Sequence, residues 1–356
     1  MARRPRNPFL SRSFQRTLTA MTRSALRAGT KAVAQAARVK TIKTTTKTTR
    51  KRPVSNAVTP KRTQRAGTAA TAGRAGVAIS PSGTRRYRLF KPPGVLSHER
   101  LPLLVMLHGC AQDARGLSAS SRMNSVAVRE RFLVLYPEQD RTANAQGCWN
   151  WFDTRSGRAE READSIDAAI TQICLTQPVD VQRIAVAGLS AGASMAALLA
   201  MRRPERFRAI AMHSGVAPGV AHSTATAISA MLGRRTRATP AAPLASGLHL
   251  PALLVIHGSA DHVVAPSNGL EAAHLWAEVE GGKPGIARTV QRGARYAMQV
   301  TDYRAPGRLV ATLCEISGLS HAWSGGAASQ PYSDPKGPDA SRMIWSFMAK
   351  QFATVR

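Results

Sequence analysis

The fold of this chain is predicted from the stretch Gly188-Leu189-Ser190-Ala191-Gly192. A β-branched and apolar run precedes it at residues 183–187, and an Ala/Leu/Met-rich run follows it at residues 193–200. This order predicts a strand, a tight turn and a helix, with Ser190 at the apex, where a strained backbone lifts the hydroxyl above the sheet edge. Glycine two residues before and two residues after the serine lets the strand and the helix cross closely. The alternative, an ordinary loop with the same pattern by chance, is weaker because both flanking elements are visible.

The charge distribution divides the 356-residue chain into a tail and a body. Residues 1–80 contain nineteen Lys and Arg and no Asp or Glu, whereas residues 81–356 contain 31 basic and 20 acidic residues. We therefore expect a basic tail and low-complexity linker over residues 1–80. Residues 81–356 are expected to form one α/β catalytic domain, which is long enough to bury a core.

Two patterns subdivide the tail. Within residues 8–39, apolar and basic side chains recur at helical spacing on separate faces, with Phe14, Leu18, Met21 and Ala25 on one and Arg12, Arg16, Arg23 and Arg27 on the other. This pattern indicates either a basic amphipathic helix that binds an anionic granule or membrane surface, or a solubilising tail with little structure. Residues 40–80 are typical of a linker. Since no aromatic residues are interleaved with the charges, we expect no specific nucleic-acid binding, while non-specific phosphate binding stays open.

Neither a membrane span nor a secretory signal is visible. The chain has no run of 18 apolar residues, and its N-terminus lacks an uninterrupted apolar segment. A cytoplasmic location is therefore the first expectation. The four cysteines are Cys110, Cys148, Cys174 and Cys314, and they form no CxxC pair and no metal-ligand spacing. We therefore expect no metal or cofactor. The cysteine pattern leaves open the redox compartment and the pairing of the cysteines.

Strand and helix patterns alternate along the body. Apolar runs predict strands at residues 86–90, 103–108, 132–136, 183–187, 208–212, 252–256 and 309–316. Helical spacing predicts helices at residues 120–131, 163–176, 193–203, 268–280 and 340–352. The alternation predicts a doubly wound, mostly parallel α/β sheet of the α/β-hydrolase type, with functional groups at the carboxyl ends of the strands.

A serine nucleophile needs a histidine base and a carboxylate that orients the base. On this fold the acid follows the serine in the chain and the histidine follows the acid. Asp261 lies on the turn after the strand at 252–256, and His321 lies in the loop after the strand at 309–316. We therefore predict the catalytic triad Ser190, Asp261 and His321.

Other histidines and acids fit these roles less well. His262 adjoins the acid too closely to face the serine, His274 lies in a predicted helix, and His213 precedes the acid and is expected to make structural hydrogen bonds. Asp302 and Asp339 are expected to be solvated loop residues.

A tetrahedral oxyanion needs two convergent backbone N–H donors. Ala191, which follows the nucleophile, is predicted to supply one, and Cys110 the other, since Gly109 allows a sharp turn after the strand at 103–108. The thiol of Cys110 itself needs no chemical role. Three tryptophans, Trp149, Trp151 and Trp323, are predicted to form the walls of an apolar substrate cleft. The alternative is that some of them pack in the core.

Five blocks of the body form a recognisable set. They are Leu107-His-Gly-Cys-Ala-Gln112, Tyr136-Pro-Glu-Gln139, Cys148-Trp-Asn-Trp-Phe152, Gly188-Leu-Ser-Ala-Gly192 and His321-Ala-Trp-Ser-Gly-Gly326. Over residues 80–356 the chain resembles the poly(3-hydroxybutyrate) depolymerase family of esterases, which is related to the acetylxylan and feruloyl esterases of carbohydrate esterase family one. The resemblance implies a metal-free serine esterase whose nucleophile, acid, base and oxyanion donor fall on Ser190, Asp261, His321 and Cys110.

The resemblance also leaves alternatives. Residues 155–162 replace a short Gly-Glu segment that relatives usually carry, and this difference leaves the identity of the substrate open. Ala193 and Ser194 differ from the residues that usually follow the serine turn in relatives, and this difference concerns the packing under the helix. The expected substrate is a poly(3-hydroxybutyrate)-type polyester or its oligomers, and the runner-up is a feruloyl or acetylxylan ester. A granule- or polyanion-binding protein with a weakly active hydrolase body is the alternative of another class. Because many relatives are secreted, an extracellular location is the alternative to the cytoplasmic one.

Overall fold

The computed structural model of the protein describes residues 73–96, 98–234 and 249–354. The amphipathic pattern predicted within residues 8–39 lies outside these ranges, so its surface-binding role stays a prediction. Within the described ranges, no helix is both long and apolar enough to cross a membrane.

Strands and helices alternate along the described chain. The strands are β1 (Arg74–Ser80), β2 (Gly83–Phe90), β3 (Leu101–Leu107), β4 (Leu133–Pro137), β5 (Val179–Leu189), β6 (Ala209–His213), β7 (Ala252–Gly258), β8 (Lys283–Pro284), β9 (Arg288–Val290), β10 (Met298–Ala305), β11 (Arg308–Ile316), β12 (Trp323–Ser324) and β13 (Ser333–Asp334). The helices are α1 (Ala114–Ser121), α2 (Met123–Glu130), α3 (Arg158–Thr176), α4 (Ala191–Arg202), α5 (Thr224–Met231), α6 (Ser267–Glu280) and α7 (Ala340–Ala353), and a short 3-10 helix, Pro204–Arg206, follows α4.

One large sheet organises these elements. Its strand order is β1-β2-β4-β3-β5-β6-β7-β11-β10-β8, and β9 also pairs with β10. The six neighbouring strands from β4 to β11 run parallel to one another. The outer pairs, β1 with β2 and β10 with its neighbours, are antiparallel. This mostly parallel sheet with intervening helices confirms the predicted α/β fold class.

Apolar cores lie on both faces of the sheet. Along β3, Leu103, Val105 and Leu107 pack in one core with α3, α4 and α6. The alternating residues Leu104 and Met106 pack in the other core with α1, α2 and α7. Because both faces of β3 are covered, every residue of this strand is buried, and its sequence is a continuous apolar run rather than an alternating one.

The structure corrects two predicted boundaries. Strand β1 pairs with β2 and extends the sheet to Arg74, inside the stretch predicted as linker. Among the residues of β1 only Ala78 is buried, and the larger apolar residues Val77 and Ile79 are exposed, so the strand lacks the buried apolar face that marks a strand in a sequence. The helix predicted over residues 120–131 is instead two helices, α1 and α2, because Arg122 between them has a left-handed backbone with φ 56°.

A disulfide bond links the loop after β3 to the loop after β4. It joins Cys110 to Cys148, which lie 38 residues apart in the chain, with Cα atoms 4.3 Å apart. The other two cysteines, Cys174 and Cys314, are free, and burial raises the pKa of both thiols. The bond therefore ties the predicted oxyanion donor Cys110 to the tryptophan-rich segment at residues 148–152.

Replacing Cys148 by serine tests the contribution of this bond. Closing a loop of this length lowers the entropy of the unfolded chain, so Cys148→Ser is expected to lower the free energy of unfolding by about 3–4 kcal/mol. Urea denaturation measures the change, with Cys174→Ser as the matched control because Cys174 forms no disulfide. Equal stability of the two variants would contradict a stabilising role.

Candidate active site

Ser190 lies between the end of β5 and the start of α4, in a strained backbone conformation. Its φ is 56° and its ψ is −122°, values that a residue with a side chain rarely adopts. Such strain costs on the order of 1–3 kcal/mol and persists only where the surroundings enforce it. Here the backbone N–H of Ser190 donates to the carbonyl of His213 at the end of β6, 2.8 Å away. The serine is thus fixed at the carboxyl edge of the parallel strands.

The two glycines of the turn are required by close backbone contacts. A Cβ atom on Gly188 would lie 2.2 Å from the carbonyl of Gly192. A Cβ atom on Gly192 would lie 2.2 Å from the carbonyl oxygen of Leu107, at the end of β3. Neither position accepts a larger residue without a shift of backbone atoms, and the same contacts bring the serine turn against the loop that follows β3.

The predicted acid and base form a hydrogen-bonded pair. Nδ1 of His321 lies 2.8 Å from Oδ2 of Asp261, and both residues are buried. The other carboxylate oxygen, Oδ1, accepts the backbone N–H groups of Val263 at 3.0 Å and Val264 at 2.9 Å. Since a carboxylate only accepts, Nδ1 of His321 carries a proton, and in the neutral ring the lone pair therefore lies on Nε2. His321 and Ser190 line the same cleft.

The carboxylate of Asp261 stays ionised despite its burial. Desolvation alone would raise its pKa, but the charge of His321 and hydrogen bonds from His257 and His321 lower that pKa well below its usual range. His257 was not predicted to belong to the site. Its Nε2 lies 2.9 Å from the carbonyl of Val264 and 3.5 Å from Oδ2 of Asp261, a position consistent with its spacing of four residues before the acid.

The two predicted oxyanion donors lie beside the serine. Cys110 and Ala191 both line the cleft that contains Ser190. Within the described ranges, neither of their backbone N–H groups donates to a protein acceptor. The amide of Gly109, by contrast, is occupied, because it donates to the side-chain oxygen of Gln112 at 3.0 Å. The geometry therefore leaves the two predicted amides available to a ligand.

Among the described residues that line the cleft around Ser190 there is no Asp, Glu, Lys or Arg. Trp149 and Trp151 line it as expected, and Trp151 packs edge-on against Phe152 with ring centres 5.5 Å apart. Further apolar lining comes from the segments after β6 and β7 and from the end of α5, namely Val216, Val263, Val264 and Met231. Such walls suit a neutral, largely apolar ligand.

Trp323 is not a wall of this cleft, and the prediction for it is wrong. Its side chain is fully buried and stacks on His213 with ring centres 5.2 Å apart. Its indole N–H donates to the hydroxyl of Ser341 on α7, 3.1 Å away. The chain returns to the core directly after His321, and Trp323 therefore lies outside the cleft lining.

The residues rejected as base or acid occupy other places. His262 and His274 are exposed, and His213 is buried, with its Nε2 accepting the backbone N–H of Ser324 at 3.1 Å. The expectation for the two acids is wrong. Asp302 lies within β10 and accepts a hydrogen bond from Thr312, and Asp339 caps the N-terminus of α7; neither is a plain solvated loop residue.

Two neutral histidines give the fold a pH dependence. Burial lowers the pKa of His108 to about 4 and that of His213 to about 3, from 6.5. Between pH 6.5 and 4 the unfolded chain therefore binds protons that the folded chain does not, so the free energy of unfolding is expected to fall as the pH falls, by about 1.4 kcal/mol per pKa unit of difference. Urea denaturation across this range measures the slope. His213→Gln should flatten it and the exposed control His274→Gln should not; a slope unchanged by His213→Gln would contradict the assignment.

Residues 85–289 match the family model described as "Esterase PHB depolymerase". The chain is 33% identical over 227 residues to poly(3-hydroxyalkanoate) depolymerase C of Paucimonas lemoignei, a match that covers 60% of this chain and 54% of that protein. It is 30% identical over 194 residues to feruloyl esterase B of Neurospora crassa, covering 50% of this chain and 65% of that protein. The chain thus spans between about half and two thirds of these relatives.

Among solved structures, the acetyl xylan esterase from Aspergillus awamori superposes with a TM-score of 0.60. It is 20% identical, and the match covers 78% of this chain and all of that chain. At this identity the likeness concerns the fold alone, and it agrees with the predicted α/β-hydrolase class. The family match extends over more than half of the sequence and includes Ser190 and Asp261. The chain therefore belongs to the PHB depolymerase family of esterases.

Proposed function

We propose that this chain is a serine carboxylesterase with Ser190 as nucleophile, His321 as general base and Asp261 as the acid that orients the base. One observation carries the proposal. A serine in a strained turn shares a cleft with a histidine whose Nδ1 is hydrogen-bonded to a buried, ionised carboxylate. Membership of an esterase family supports the same reaction.

The proposed reaction proceeds in two half-reactions. Oγ of Ser190 attacks the ester carbonyl carbon while Nε2 of His321 takes its proton, and Asp261 stabilises the imidazolium that forms. The N–H groups of Cys110 and Ala191 donate to the developing oxyanion. Collapse of the intermediate breaks the ester bond, and His321 gives the proton to the leaving alcohol. Water then attacks the acyl-serine by the same route, releasing the acid and restoring the serine hydroxyl.

The substrate we propose is a poly(3-hydroxybutyrate)-type polyester or its oligomers. The uncharged, mostly apolar cleft supports a neutral ester, and the printed name of the Paucimonas relative supports a hydroxyalkanoate. A feruloyl or acetylxylan ester is the second candidate, favoured by the name of the Neurospora relative and by the aromatic wall of Trp149 and Trp151.

We also propose an extracellular location for the protein and a surface-binding role for its basic tail. A disulfide such as Cys110–Cys148 persists in oxidising environments, which favours the extracellular location over the cytoplasmic one. The basic residues of segment 8–39 would add attraction to an anionic granule or membrane surface. A surface-binding protein with a weakly active hydrolase body remains the alternative of another class, and a low turnover number with intact surface binding would favour it.

Hydrolysis of p-nitrophenyl butyrate tests the reaction. Ser190→Ala is expected to lower kcat by about 10³-fold or more, because the nucleophile is removed, while leaving the fold intact. The matched control is Ser125→Ala, since Ser125 is exposed on α2, and it should retain the wild-type rate. Equal rates for wild type and Ser190→Ala would end the esterase proposal.

Release of soluble acid from three substrates separates the candidate esters. Hydroxybutyrate oligomers, acetylated xylan and a feruloylated oligosaccharide are compared at matched ester concentration. A higher kcat/KM for the hydroxybutyrate oligomers is expected. A preference for either carbohydrate ester would replace the polyester by the second candidate and leave the Ser190 mechanism standing.

A further inference from the structure

His108 follows β3 directly and is buried beneath the loop that carries Cys110. Its Nδ1 lies 2.9 Å from the carbonyl oxygen of Gly109. A carbonyl can only accept, so Nδ1 carries the proton. Its Nε2 accepts the backbone N–H of Gln139 at 3.1 Å. The imidazole is thus neutral and in a single tautomer, with both ring nitrogens hydrogen-bonded.

The carbonyl that His108 holds belongs to the same peptide unit as the amide of Cys110. A trans peptide is planar, and its C=O and N–H point in opposite directions. The Gly109 oxygen also accepts the backbone N–H of Gln112 at 3.2 Å. With the oxygen held by two donors on one side, the N–H of Cys110 is directed to the other side, where the residue lines the cleft beside Ser190.

A buried polar network holds the partner of His108 in turn. Arg85 donates to the side-chain oxygen of Gln139 at 2.8 Å, and the side-chain N–H of Gln139 donates to Glu162 at 2.7 Å. All three side chains are buried. The indole of Trp149 donates to the backbone carbonyl of His108 at 3.0 Å. These bonds hold the side chain of Gln139 and the backbone of His108, the two residues between which the Nε2 hydrogen bond is made.

We propose that His108 is a positioning residue for the reaction: its Nδ1–H aims the Cys110 amide at the oxyanion. His108 does not line the cleft, so it acts through the Gly109–Cys110 peptide and touches no substrate. The inference rests on the proposed esterase function and adds to it the residue that orients one oxyanion donor. An imidazolium or the opposite tautomer would place a second proton against the Gln139 amide.

Two substitutions separate the two ring nitrogens. An asparagine side chain places an amide N–H near the position of Nδ1, so His108→Asn is expected to keep kcat for p-nitrophenyl butyrate within about tenfold of wild type. Glutamine reaches toward Nε2 instead and leaves Gly109 without its donor. His108→Gln is therefore expected to lose about 10²-fold in kcat, as when one oxyanion donor is removed, with KM nearly unchanged.

The affinity for a tetrahedral adduct of the serine tests the positioning role, because a residue that only stabilises the fold would not change this affinity selectively. An alkyl boronic acid that bonds to the serine is compared with the planar product butyrate. His108→Gln should weaken the boronic acid in proportion to the loss in kcat/KM and leave butyrate unaffected. The melting temperatures of both variants are measured alongside, and active-site titration with a phosphonate restricts the rates to folded molecules.

The outcomes distinguish this inference from the proposed function. Equal losses in the two variants, or wild-type activity in His108→Gln, would overturn the positioning role while Ser190-dependent hydrolysis by the wild type stands. Absence of Ser190-dependent hydrolysis in the wild type would overturn the proposed function itself. Should His108→Gln fail to fold, Glu162→Gln replaces it. This variant removes the carboxylate partner of Gln139, and it should lower kcat and boronic acid affinity together; a loss of stability alone would overturn the role.

Discussion

The close approach of Gly192 to the end of β3 is the constraint on which the site depends. Its Cα faces the carbonyls of Leu107 and His108 so closely that a Cβ atom would lie within 2.2 and 2.5 Å of them. This contact brings the start of α4 and the loop after β3 together. Ser190 and Ala191 come from one side, and Cys110 comes from the other. The turn that exposes the serine therefore also brings together the two residues whose amides are predicted to bind the oxyanion.

Burial of charge is the second feature of the site, and each buried charge is compensated. Asp261 receives two backbone N–H groups and the imidazole of His321. The carboxylate of Glu162 and the guanidinium of Arg85 are bridged by Gln139. An ion left without such partners would cost several kcal/mol. The same low polarity keeps His108 and His213 neutral, so they serve as fixed hydrogen-bonding groups.

The sequence predicted those parts of the molecule whose signals are local. Buried parallel strands such as β3 appear as apolar runs, and the turn at Ser190 requires small residues on both sides. The sequence did not predict β1, because an edge strand needs no buried apolar face, nor β10, because the buried residues of that strand do not alternate regularly. It placed Trp323 in the cleft because residue type says nothing about the direction of the chain after His321. The Cys110–Cys148 pairing and the hydrogen bond from Gln139 that fixes the tautomer of His108 arise only from contacts between distant segments.

Covalent labelling with a fluorophosphonate tests the central claim most directly. An activated serine beside a base and an oxyanion hole reacts with this reagent, whereas an ordinary surface serine does not. Peptide mass spectrometry of the labelled full chain should locate one phosphonate per molecule, on Ser190, and the label should be lost in His321→Ala. A chain that takes up no label, or takes it up on another serine, would contradict the account.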